Sequence, residues 1–136
     1  QGRQGQIPLW AAGGLGKTGN LAADAFKMIC LGANGVFTGK LMLQIAGCLG
    51  NENSRCNACN TGLCPAGITT QDPALVHRLN TDLVAEKIVN YFLGMDQELR
   101  KLMAPIGNSS LPVGRSDCLV ATDKAVADRL QVQYVC

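Results

Sequence analysis

Apolar residues arrive along this chain in short blocks set apart by glycine and polar punctuation. Residues 7–12 (IPLWAA) form the first block, with the flanks expected of a buried strand. Residues 13–19 (GGLGKTG) follow, four glycines in seven positions. Asn20 stands where a helix cap belongs, ahead of an apolar-rich segment, 21–31 (LAADAFKMICL), and Gly32 stands where such a helix is closed. Residues 33–38 (ANGVFT) read as a second strand. Strand, helix and strand in this order make a parallel βαβ unit, whose crossover is expected to be right-handed. After Gly39 and Lys40, residues 41–49 (LMLQIAGCL) read as one short buried helix.

Beyond residue 73 the pattern changes to helical spacing. Asn80 or Thr81 is placed to cap a long helix over 82–103, in which Val84, Ile88, Phe92, Met95, Leu99 and Leu102 recur every three or four residues. That stripe reads as core contact, and Glu86, Lys87, Glu98, Arg100 and Lys101 form the solvated face opposite. Gly107 and Gly114 mark turns, and residues 121–133 read as a second amphipathic helix. His77, the single histidine, sits in polar surroundings and reads as solvated.

Composition narrows the class. A chain of 136 residues with 47% hydrophobic and 16% charged residues suits about one globular domain. Net charge is +2 with scattered basic residues, and aromatics make up 4%, so a nucleic-acid partner is not expected. Gln44 and the glycines interrupt the best apolar stretch, so no membrane span is expected. The opening QGRQGQIP lacks the apolar core of a signal peptide, and seven cysteines is an odd number; together these point to a reducing, cytoplasmic compartment with metal-bound thiols.

Four of the seven cysteines lie between positions 48 and 64, namely Cys48, Cys56, Cys59 and Cys64, and Pro65 follows the last. Crowded thiols repel as thiolates and oxidise readily, so such density points to a shared metal centre. An iron–sulfur cluster is the reading favoured here, with tetrahedral zinc on the same sulfurs as its chemical rival. Cys30 and Cys118 read as core packing, and Cys136 as a fraying terminus.

The glycine loop admits three readings. Residues 11–18 (AAGGLGKT) satisfy a loose phosphate-binding-loop pattern, which would set Lys17 on nucleotide phosphates and Thr18 on magnesium. No apolar strand ends downstream in a magnesium-binding Asp, since Asp72, Asp82 and Asp96 stand in polar or helical contexts. The second reading is a glycine turn without a ligand. The third is a flavin phosphate site, in which backbone N–H groups of Gly13-Gly14 and Gly39-Lys40 cradle one phosphate.

The order of glycine pair, helix, LGA, strand, glycine and then Gly47-Cys48 resembles the end of the FMN-binding domain of glutamate synthase. So does the string CNTGLCPAGITTQDP, above all Cys59-x4-Cys64-Pro-x-Gly with Thr70-Gln71-Asp72-Pro73 behind it. The resemblance covers about 7–117. It implies an α/β fold, the last two strands of a (β/α)8 TIM barrel, with FMN phosphate held by Gly13, Gly14, Gly16, Lys17, Gly39 and Lys40. It implies a barrel portion over 1–47, a cluster loop over 48–73 and a helical extension over 74–136. Cys48 matches the first of the family's three ligands to a 3Fe-4S cluster. Here the gap to Cys59 is longer and brings in Cys56, which favours a 4Fe-4S cluster on Cys48, Cys56, Cys59 and Cys64. That longer gap, and a helix after Gly19 about one turn longer than usual, point to a relative of the large subunit.

A complete barrel needs eight strands and roughly 250 residues, so the resemblance implies that this is a C-terminal fragment or the product of a split gene. Its partners would be the remaining barrel portion, an electron-donor protein or subunit, and a small-molecule substrate. The implied reaction is the reduction of 2-iminoglutarate, from 2-oxoglutarate and ammonia, to glutamate. No catalytic residue is assigned. The alternative is an iron–sulfur carrier or metal-stabilised interaction subunit without flavin.

Overall fold

A computed structural model describes residues 7–17, 19–50, 56–107 and 109–135. The expectations for Thr18 and Cys136 fall outside these residues. The chain divides into two compact units, one of 1–38 with 95–136 and one of 39–94.

In the first unit the expected βαβ unit is present. Strand β1 (Trp10–Ala11) pairs in parallel with β2 (Gly35–Val36), with helix α1 (Leu21–Cys30) between them in sequence. Both strands are two residues long, shorter than the blocks 7–12 and 33–38. The pairing is extended at each end by single bonds: Asn34 N–H donates to Leu9 O at 2.7 Å and Phe37 N–H to Ala11 O at 2.8 Å. Among the described residues β1 and β2 pair only with each other, and a two-strand ribbon gives the flanking residues no further ladder to join. Asn20 caps α1 as read, its side chain accepting from Ala23 N–H at 2.8 Å. Leu21, Ala22, Ala25, Phe26, Ile29 and Cys30 are the buried face of α1, and burying a side chain the size of Leu21 or Phe26 contributes about 1.5–3 kcal/mol.

Helix α4 (Thr81–Met103) matches the long helical pattern, and Asn80 is its cap, accepting from Leu83 N–H at 3.0 Å. No residue of α4 is buried. Val84, Ile88, Met95 and Leu99 are half-buried, whereas Phe92 and Leu102 lie exposed. The stripe is therefore a face prepared for packing rather than a finished core contact. Helix α2 (Lys40–Ile45) likewise has no buried residue, which corrects the expected buried helix over 41–49; it ends at a turn in which Gly47 has φ 99°.

The expected helix over 121–133 is shorter. Helix α5 covers Lys124–Leu130 and is bracketed by two strands, β3 (Val120–Ala121) and β4 (Gln133–Tyr134), which pair in parallel. Asp123 starts the helix late by accepting from Val126 N–H at 2.9 Å. Gln131, in the left-handed region at φ 55°, ends it early and frees Val132 to extend. Ala127 is its one buried residue.

The turn of Ser116–Cys118 packs against α1, tied by Gly114 N–H donating to Ile29 O at 3.0 Å. Cys30 is fully buried, as read, and Cys118 is half-buried rather than part of the closed core. Burial pushes the Cys30 thiol up to about 11, helped by its hydrogen bond and electrostatic repulsion with Cys118. In the unfolded chain this thiol ionises near 9, its ordinary value. Its contribution to stability is therefore complete below pH 9 and is lost as pH rises through 11, by on the order of 2 kcal/mol. Urea unfolding measured from pH 8 to 11 is expected to show this loss, and Cys30→Ala to flatten it.

Candidate metal and phosphate sites

Cys64 sits in the tightest part of the second unit, and the segment around it is built from local hydrogen bonds. Cys64 O accepts from Gly67 N–H at 3.1 Å, closing a turn. Thr70 Oγ1 accepts from Asp72 N–H at 3.1 Å, and Asp72 in turn caps helix α3 (Pro73–Val76), accepting from Ala74 N–H at 2.8 Å. Arg78 Nη1 donates back to Pro65 O at 3.3 Å. Gly67, at φ 76°, lies so close to α3 and the turn after it that a Cβ there would stand 2.7 Å from Leu75 O and 3.0 Å from Leu79 N.

This fold of the chain turns backbone donors onto one sulfur. Thr69 N–H bonds the Cys64 sulfur, and Ile68 N–H, Ala66 N–H and the Thr69 hydroxyl add to it. Against the opposing effect of burial, these bonds pull the thiol down to about 7. A sulfur whose thiolate is this accessible near neutral pH is suited to ligate a metal.

The other three sulfurs are placed differently. Gly50 N–H donates to Cys48 Sγ at 3.4 Å, and a Cβ built on Gly50 would lie 3.5 Å from both Cys48 Sγ and Cys56 O. Gly50 therefore lies between the two cysteine segments, at ordinary contact distance from each. Cys48 and Cys56 are half-buried, while Cys59 lies exposed in the turn Ala58–Asn60. Residues 51–55, between Cys48 and Cys56, fall outside the described residues. Among the described residues no three His, Cys, Asp or Glu side chains are gathered as a metal-holding group. His77 is exposed, as read, with Nδ1 3.3 Å from Pro73 O.

The glycine residues divide between the two units. Gly13 and Gly14 have φ 109° and 71°; nothing stands within 4 Å of a Cβ at Gly13, whereas Lys17 lays its aliphatic stem over Gly14. Gly16 is buried and its N–H donates to Asp24 Oδ2 at 2.8 Å, so that amide already serves an internal carboxylate. Gly39 begins α2 without a side-chain cap, and nothing lies within 4 Å of where its Cβ would be. Just before it, Thr38 Oγ1 is buried and has no hydrogen-bond partner among the described residues. Asp72, Asp82 and Asp96, weighed above as magnesium ligands, cap α3, open α4 and pair with Arg100 at 2.7 Å respectively.

The profile described as "Conserved region in glutamate synthase" matches residues 1–109. The chain belongs to the glutamate synthase family. It is 34% identical over 111 residues to the archaeal glutamate synthase [NADPH] of Methanocaldococcus jannaschii, a match covering 82% of this chain and 20% of the relative. The archaeal glutamate synthase [NADPH] of Archaeoglobus fulgidus is 32% identical over the same share of each. The glutamate synthase [NADPH] large chain of Bacillus subtilis is 32% identical over 104 residues, 75% of this chain and 6% of the relative. This glutamate synthase segment thus spans about a fifth of the length of its archaeal relatives. No solved structure matches it. No helix among the described residues is long and apolar enough to cross a membrane.

Sequence reading of this family segment missed Thr38, Gly50 and Thr69. Thr69 lies inside the quoted string CNTGLCPAGITTQDP, but its role depends on a turn that brings its amide and hydroxyl back to Cys64, which residue types alone do not disclose.

Proposed function

We propose that this chain is the end of a flavin barrel and the iron–sulfur loop of a glutamate synthase-type oxidoreductase, with 2-oxoglutarate and ammonia as substrates and glutamate as product. In this reading residues 1–47 are the last βα units of a (β/α)8 barrel, 48–73 the cluster loop and 74–136 a helical extension. The observation that carries the reading is the ring of donors on Cys64, which stabilises a buried thiolate within Cys-Pro-x-Gly.

Cys48, Cys56, Cys59 and Cys64 would hold a 4Fe-4S cluster, or three of them a 3Fe-4S cluster, and Gly50 lies beside both Cys48 and Cys56. Bound cluster supplies one-electron transfer, and bound FMN supplies hydride transfer to the imine carbon. The chain's own residues bind and orient. The uncapped start of α2 at Gly39-Lys40 offers backbone N–H groups and partial positive charge to a phosphate. The unpartnered Thr38 hydroxyl is placed beside Gly39 in sequence to complete that set. Gly13, Gly14 and Lys17 are the other phosphate-binding residues of this reading, and Gly16 steadies their loop through Asp24. The partners are the remainder of the barrel and a donor of electrons.

The test is the composition of the full-length protein purified without oxygen. Iron, acid-labile sulfide and FMN are expected in fixed ratio. Thr38→Val is expected to weaken FMN retention by about tenfold, the worth of one buried hydrogen bond, with iron and sulfide unchanged. Iron and sulfide without flavin would favour the carrier alternative; zinc alone would defeat both.

A further inference from the structure

We propose that Cys30 and Cys118 form a reversible dithiol–disulfide pair, a modification site separate from the cysteine loop. The two residues come from distant parts of the sequence and meet within one unit, where the 116–118 turn packs on α1 and Gly114 N–H bonds Ile29 O at 3.0 Å. Both thiols are free and they hydrogen-bond to each other. Their exposures differ in the way a two-step oxidation requires, because Cys118 is half-buried and Cys30 is closed off from solvent. Arg115 supplies positive charge to both sulfurs while its guanidinium is held by Asp117, Nη2 to Oδ2 at 2.7 Å and Nε to Oδ1 at 3.2 Å.

The oxidant is hydrogen peroxide. Cys118 sulfur attacks its oxygen, the O–O bond breaks, and Cys118 becomes a sulfenic acid as one water equivalent leaves. Cys30 sulfur then displaces the sulfenic hydroxyl, its own proton leaving with that group as the second water. Two thiols and one peroxide thus give one disulfide and two waters. Burial keeps Cys30 protonated up to about 11, so it is not the first sulfur to react. The bond would fasten the 116–118 turn to α1 covalently, and a dithiol reductant would release it.

The sequence makes the test clean. Trypsin cuts after Lys27, Lys40, Arg115 and Lys124, so Cys30 and Cys118 each fall alone in their peptides, 28–40 and 116–124, apart from Cys48, Cys56, Cys59 and Cys64. Intact protein is treated with hydrogen peroxide, remaining thiols are alkylated after denaturation, and the digest is read by mass spectrometry. The expected result is a linked 28–40/116–124 pair that takes up most of the Cys118 signal and disappears with dithiothreitol. In Cys30→Ala the link is absent and Cys118 is trapped by dimedone as a sulfenic acid. The proposal is overturned if wild-type Cys118 stays fully alkylatable, passes to sulfinic acid with Cys30 still reduced, or links mainly to a peptide of the cysteine loop.

Discussion

Cys64→Ser is expected to cut bound iron by at least about tenfold and to abolish the visible absorption of the anaerobically purified protein. The size of the effect follows from how much of the loop converges on that one sulfur. Thr69, Ile68 and Ala66 act on it through backbone N–H groups, and these donors lower its pKa from 9.0 to about 7 despite burial. A serine hydroxyl at the same place stays protonated, and even the outer partners of a metal ligand are worth tenfold or more in affinity. Cys56→Ser provides the contrast. With Cys56 as fourth ligand, its loss is expected to leave a coloured protein whose iron per chain falls toward that of a three-iron cluster. An unchanged spectrum and iron count in Cys56→Ser would remove it from the ligand set. Iron and sulfide assays beside absorption spectra decide both.

Gly67→Ala is expected to destabilise the folded chain by about 3 kcal/mol. Two costs combine: a side chain forced into the left-handed region at φ 76°, and a methyl group driven against the backbone at Leu75 O and Leu79 N. Neither neighbour is the end of a flexible side chain, so neither yields without moving α3. Gly62 is the internal control, since at φ 72° it has nothing within 4 Å of its would-be Cβ. Gly62→Ala should cost only the conformational part, about 1 kcal/mol. Urea midpoints of the two variants are the measurement; equal losses would mean that the contact with Leu75 and Leu79 carries no energy.

Local chemistry was legible where one residue decides one feature. Asn20 and Asn80 announce their helices because a short amide before an apolar stripe satisfies an orphan backbone donor, and both do so. The parallel pairing of the two N-terminal blocks was legible for the same kind of reason, since strand, glycine loop, helix and strand leave few topologies open. Extent was less legible. The run over 121–133 is helical in spacing, yet Asp123 and Gln131 override its ends through capping and a left-handed turn. The stripe on α4 was read as core contact, yet none of its residues is buried and Phe92 and Leu102 lie exposed, because spacing marks a face without saying what covers it. At the candidate site the cysteines advertise themselves by density. The groups that tune them, the Thr69 amide and Gly50, are a property of turns and stay silent until the chain is folded.

One consequence follows from the pairing of β1 with β2. Trp10 faces Gly35 across the strand register, its ring covers the glycine, and it sits 5.0 Å from the Phe37 ring at an angle of 33°. It remains 58% exposed, and it is the single tryptophan in the sequence. The chain therefore carries a built-in fluorophore on one face of its strand pair. Whatever packs on that face dehydrates the indole, so the colour of its emission follows docking in real time without a label.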